Sequence, residues 1–137
     1  MASVGYSGMP LAKKLGLKPE MKILALNAPK DYRTWLAPLP AGVSVVSKPS
    51  RDGAALVHLF AATASELDKG LPIARRAMTK DGALWISWYK KSAKIPTDVS
   101  EDMTRARALE TDLVDVKVCA VSDVWSGLKL VVRKHLR

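Results

Sequence analysis

The chain holds 137 residues, one domain's worth, with 48% hydrophobic and 26% charged residues, the balance of an ordinary globular protein. Its net charge is +9 and its pI near 9.9, so its surface attracts anions such as nucleic acid, acidic protein or phosphate. No apolar run approaches the ~18 residues that span a bilayer, the N-terminus lacks the basic-then-apolar order of a signal peptide, and Cys119 is the only cysteine, which excludes an intrachain disulfide and a zinc cluster and points to a reducing cytoplasm.

The charge is graded, +5 over residues 1–50, +3 over 51–100 and +1 over 101–137, with no polybasic tail beyond Arg133-Lys134 and Arg137. Residues 1–9 are small and glycine-bearing and read as irregular. Pro10 to Leu15 reads as a short helix, since Pro10 suits a first helical position and Gly16 a stop. Met21 to Asn27 is an apolar strand that ends in the turn-forming loop Asn27-Ala-Pro-Lys-Asp31. Tyr32 to Leu36 is a short helix closed by Pro38 and Pro40, and Val43 to Ser47 a second short strand. After the polar turn Lys48-Pro-Ser-Arg-Asp-Gly53 comes a third strand, Ala54 to Phe60.

Thr63-Ala-Ser-Glu66 matches a capping box, and the helix it opens is expected to reach about Lys80, kinked or split at Gly70 and Pro72. The Asp81-Gly82 pair reads as a turn that releases a strand through Ala83, Leu84, Trp85, Ile86, Ser87 and Trp88. That run is apolar without alternation, the pattern of a strand covered on both faces, with Trp85 and Trp88 on opposite sides. Lys90 to Thr97 is a basic loop, and Asp98 or Ser100 caps a helix over about Glu101 to Glu110. Leu113 to Val121 alternates, Val114, Val116, Val118 and Ala120 on one side. Asp123 to Gly127 is a tight connection, and Leu128 to Lys134 a last strand that pairs back as a hairpin at the sheet edge. Alternating strands and helices predict one α/β domain over residues 1–137, a three-layer sandwich with a mostly parallel sheet and a C-terminal antiparallel hairpin.

This order of elements, with a strand after Asp52, another after Asp81-Gly82 and a hairpin ending in Arg133-Lys134, resembles a trimmed class I S-adenosylmethionine-dependent methyltransferase fold, Rossmann-like in type. In that fold a glycine-rich loop after the first strand and an acidic residue closing the second hold the cofactor. Here the first loop is Asn27-Ala-Pro-Lys30 and the second strand ends Ser47-Lys48, so no cofactor is expected. A second resemblance rests on Gly5-Tyr-Ser-Gly8, Pro10-Leu-Ala-Lys-Lys-Leu-Gly16, Leu26-Asn-Ala-Pro29, Asp81-Gly-Ala-Leu-Trp85, Lys94-Ile-Pro-Thr-Asp98, Val116-Lys-Val-Cys-Ala-Val121 and Val124-Trp-Ser-Gly-Leu-Lys129. The chain looks like the bacterial family catalogued as domain of unknown function 3052, which implies a compact cytoplasmic α/β domain and no assigned activity.

The candidate site gathers Lys30, which follows the first strand, with Lys90, Lys91 and Lys94, which follow the central one. If those strands are parallel, all four lie at one sheet edge, where Asn27 adds an amide and helix N-termini assist in holding a phosphate or carboxylate. Trp125 and Ser126, in the Trp-Ser-Gly127 turn, are further candidates, with a packed turn as the structural reading. Tyr6-Ser-Gly8 reads as a lid or a mobile terminus. His58, within Leu56-Val-His-Leu-Phe60, is expected as a hydrogen-bonded core histidine and Cys119 as a buried, inert thiol.

The leading expectation is a non-enzymatic binding or regulatory module for an acidic small molecule or acidic partner. The alternatives are a divergent methyltransferase-like or other nucleotide-using enzyme and a nucleic-acid binder. No metal and no membrane partner are expected. For a homodimer through the last strand the residues divide: Leu128, Leu130 and Val132 favour it, and Lys129, Arg133 and Lys134 guard against it.

Overall fold

The computed structural model describes residues 9–137. The expected irregular segment, Met9 apart, and the Tyr6-Ser-Gly8 lid lie outside the described residues. The described chain runs α1 (Leu11–Leu15), β1 (Lys22–Leu26), α2 (Tyr32–Leu36), β2 (Ser44–Val46), β3 (Ala54–Phe60), α3 (Ala64–Ala77), β4 (Met78–Tyr89), α4 (Glu101–Leu109), β5 (Leu113–Ala120) and β6 (Trp125–Val132). The strands form one sheet in the order β2-β1-β3-β4-β6-β5. β2, β1, β3 and β4 are parallel, and β6 lies antiparallel to both β4 and β5. This is the mostly parallel α/β sheet with an antiparallel C-terminal hairpin that the alternation of elements predicts.

Two apolar layers cover the sheet, which is why β1, β3 and β4 lack a polar side. On one face Leu11 and Leu15 of α1 and Tyr32 and Leu36 of α2 pack on Ile23, Leu56, Phe60 and Trp85. On the other, Leu67, Leu71 and Ala74 of α3 and Ala108 of α4 pack on Val57, Leu59, Leu84, Ile86 and Trp88. Trp85 and Trp88 therefore fall on opposite faces, as their spacing requires. Trp85 is fully buried and its Nε1 donates to the Leu15 carbonyl at 3.1 Å, pinning the end of α1 to the central strand.

Four local readings are corrected. Asp81-Gly82 is not a turn, because β4 already begins at Met78, opposite Ala54. The register between β3 and β4 shifts just after that pair, and a Cβ on Gly82 would stand 2.6 Å from the Ala55 carbonyl oxygen, so the glycine admits a close strand approach. Gly70 and Pro72 do not split α3, which is one helix. Gly70 is small because a Cβ there would lie 2.6 Å from a Leu59 methyl, while Pro72 sits on the solvent side. β6 begins at Trp125 and has a partner on each side, so Leu128–Val132 offers no free edge for a second copy; the outer antiparallel strand is β5. Finally, the register of β5 shifts between Asp115 and Lys117, which reverses its alternation: Asp115 pairs with Leu130 and Lys117 with Lys129.

Candidate functional site

Strand order reverses at β1, with β2 on one side and β3 on the other. The crevice outside the carboxyl ends of strands at such a switch is where open α/β sheets take ligands. Asn27, the first residue past β1, adopts φ +59°, a left-handed conformation that asparagine tolerates better than most residues. Its Nδ2 donates to the Phe60 carbonyl at 3.2 Å and so ties the ends of β1 and β3 together.

Three adjoining clefts follow this edge. The first, of about 490 Å³, is bounded by Asn27, Lys30, Tyr32, Arg33 and Ser47. The second, of about 500 Å³, is bounded by Lys90, Lys91, Lys94, Ile95 and Asp98. Between them a cleft of about 340 Å³ shares Asn27 and Pro29 with the first and Tyr89 and Ile95 with the second. The four lysines singled out by sequence thus share one edge but not one cleft. Lys30 stands in the first and Lys90, Lys91 and Lys94 in the second. Lys30, Lys91 and Lys94 are exposed, whereas Lys90 is half-buried, its backbone amide donating to the Val124 carbonyl at 2.8 Å.

Trp125 is buried and stacks on Tyr89, with centroids 4.1 Å apart, and meets Phe60 edge-on at 5.0 Å. It walls the middle cleft and is chiefly a packing residue. Ser126 points to the other face of β6, opposite Trp88 and Ala120, and lines none of these clefts. The expected help from helix N-termini is also corrected at α3. Glu66 Oε1 accepts from the amides of Ala62 (2.9 Å) and Thr63 (3.2 Å), and Asp98 Oδ1 accepts from Ala64 (2.7 Å). These carboxylates take the amides an anion would use. Thr97 Oγ1, donating to the Ala62 carbonyl at 2.6 Å, fastens the same loop.

Sequence reasoning passed over Tyr32, Arg33 and Ser87. Lys30 in the turn before α2 and Arg33 in its first turn both border the first cleft, and Arg33 Nη2 donates to the Val45 carbonyl at 2.9 Å. Beneath the cleft, His58 lies between Tyr32 (Nδ1 to Oη, 2.8 Å) and Ser87 (Nε2 to Oγ, 2.8 Å) and stacks on Phe60 at 4.2 Å. His58 is fully buried, and burial pushes its pKa down to about 3 while raising that of Tyr32. The three side chains satisfy one another and join α2, β3 and β4; with Ser87 equally buried, the trio supports packing. Among the described residues no group of three or more His, Cys, Asp or Glu side chains is placed to hold a metal ion, and no helix is long and apolar enough to cross a membrane.

No protein-family model matches the chain, so the likeness to domain of unknown function 3052 gains no support there, and no curated protein matches either. Solved structures do. The ribosomal protein L11 methylase of Lactobacillus delbrueckii subsp. bulgaricus superposes with a TM-score of 0.54 at 10% identity, over 90% of this chain and 75% of that one. The fold is methyltransferase-like. An O-methyltransferase of neocarzinostatin biosynthesis, solved with S-adenosylmethionine, is also similar, at a TM-score of 0.48 and 17% identity over 82% of this chain and 41% of its own.

The residues present do not fit S-adenosylmethionine as this fold would hold it. The loop after β1 has no glycine, and its one flexible amide, on Asn27, is engaged by Phe60. β2 ends at Val46 and is followed by Ser47-Lys48, without a carboxylate for ribose hydroxyls. The nearby carboxylates of Glu66 and Asp98 cap α3, leaving cations in the first cleft, where a sulfonium would be repelled.

Proposed function

We propose that this chain is a divergent methyltransferase-like domain that keeps the switch-point crevice of the fold and uses it to bind an anionic small molecule, a phosphate or carboxylate carried on an apolar body. The observation that carries this reading is the pairing of Lys30 and Arg33 over the first cleft, at the position where the fold calls for a glycine loop and an acid. Lys91 and Lys94 extend the positive edge, while Phe60, Tyr89 and Trp125 give the middle cleft an aromatic wall for a ring. Binding is the function proposed; no chemical step follows from these residues. Membership of the domain of unknown function 3052 family, resting on the sequence segments quoted above, remains part of this proposal.

Calorimetric titration with adenosine monophosphate, an anionic probe with an aromatic ring, tests it. Binding that weakens by about tenfold, roughly 1.4 kcal/mol, in Lys30→Ala or Arg33→Ala is expected. Heat of binding unchanged by both variants, or none in the wild type, would overturn it. The second reading, methyl transfer, is favoured by the fold likeness and predicts instead that S-adenosylmethionine is the tighter ligand.

A further inference from the structure

We propose that the sheet face presented by β5 and β6 beside α1 binds the phosphate backbone of a nucleic acid. Because the register of β5 shifts after Asp115, Lys117 stands directly opposite Lys129, which itself pairs with Trp85, so all three share one face. Lys117 Nζ lies 5.9 Å from the centre of the Trp85 ring. Lys129 Nζ reaches the end of α1, 3.9 Å from where a Cβ on Gly16 would stand. Burial, and then Lys117 and Lys18, hold the Lys129 ammonium below the ordinary lysine range, so these cations feel one another.

Like charges directly opposite on neighbouring strands destabilise a sheet, and a carboxylate nearby would relieve them. None does among the described residues. Their ion pairs, of Arg75 with Asp112, Arg105 with Glu101, Asp102 and Asp115, and Arg107 with Asp68, join side chains of α3, α4 and β5 and the turn before β5. Residues 1–8 contain no acidic side chain. One face is therefore neutralised internally, and the other concentrates a positive field on a protein whose pI is near 9.9. Lysines are point charges suited to phosphates, and the exposed large apolar side chains of the described residues include no aromatic, the usual anchor of a protein interface. A polyanion held by its backbone is the partner that fits, at a place distinct from the crevice of the proposed small-molecule site.

The test is fluorescence anisotropy of the full chain with labelled single-stranded RNA and, separately, duplex DNA, whose two arms distinguish the sources of phosphate. If about four phosphates are neutralised, raising salt from about 50 to about 200 mM should weaken binding about 50-fold for the single strand and about 150-fold for the duplex. Lys117→Glu should weaken it at least about tenfold and at the same time raise the melting temperature, because Lys129 gains an opposite charge across the strands. Lys117→Gln gives the same two directions, smaller, should the reversal fail to fold. Lys69→Glu on α3 changes net charge equally and should alter binding less than about twofold. Absence of nucleic-acid binding at low salt, equal loss in Lys69→Glu, tighter binding to polyglutamate, or a lower melting temperature in both Lys117 variants would each overturn the inference.

Discussion

At the residue scale, His58 is a titratable side chain with no exposure to solvent. Its folded pKa, about 3, lies below the ordinary value of 6.5, so between those values the unfolded chain takes up a proton that the folded chain refuses. Stability from this group is therefore complete above about pH 6.5 and is lost as pH falls towards 3. Thermal melts of wild type and His58→Gln across that window should converge as pH falls, the wild type losing on the order of a few kcal/mol more. Parallel pH profiles would mean that His58 charges freely in the fold. The apolar strand around His58 made its burial legible, but Tyr32 and Ser87 come from other elements, and nothing local marked them as its partners. Gly82 teaches the same lesson in reverse. Asp-Gly is a turn signature, yet here the glycine admits the Ala55 carbonyl at the start of a strand, and Gly82→Ala should cost about 1–3 kcal/mol in a denaturant melt. Unaltered stability would show that β3 and β4 can separate without cost.

Among the elements, α3 and the loop over residues 90–100 act together at the site. Thr63-Ala-Ser-Glu66 forms both hydrogen bonds of its capping box, Glu66 N to Thr63 Oγ1 at 3.1 Å and Thr63 N to Glu66 Oε1 at 3.2 Å, as the four-residue pattern predicts. The sequence could not reveal that Asp98, 34 residues on, supplies a further cap. Thr63→Ala should cost about 1 kcal/mol. Asp98→Ala should cost about as much and, by freeing the Ala64 amide, should raise the hydrogen-exchange rate of Ala64 above its wild-type rate. No change in exchange at Ala64 would deny the contact. Most strand and helix types were legible because β1, β3 and the second half of β4 are apolar runs and α3 carries its own start signal, but residues 78–82, polar at Thr79, Lys80 and Asp81, read as a helix end and a turn and are strand. The order of the hairpin strands was not legible. Adjacent antiparallel strands look alike in sequence whichever of them meets β4, and the register shift near Val116, which decides the faces of Lys117 and Cys119, has no residue signature.

At the scale of the whole molecule, the fold is that of a methyltransferase while the cleft at its switch point is cationic. The two facts fit together if the sheet supplies the crevice and the loops choose the ligand, since side chains at the carboxyl ends can change without disturbing the layers beneath. Lysines 30, 90, 91 and 94 were legible as an edge cluster from strand order alone. Their division between two clefts, and the aromatic wall between them, required the three-dimensional course of the loop over residues 90–100. The proposed occupant of this crevice is an anion and not S-adenosylmethionine. The most direct test is amide chemical-shift mapping of the labelled wild-type protein during parallel titrations with adenosine monophosphate and S-adenosylmethionine. Saturable shifts at Asn27, Lys30, Arg33 and Ile95 are expected with the nucleotide and none there with S-adenosylmethionine; saturable shifts at those residues with S-adenosylmethionine alone would contradict the anion site.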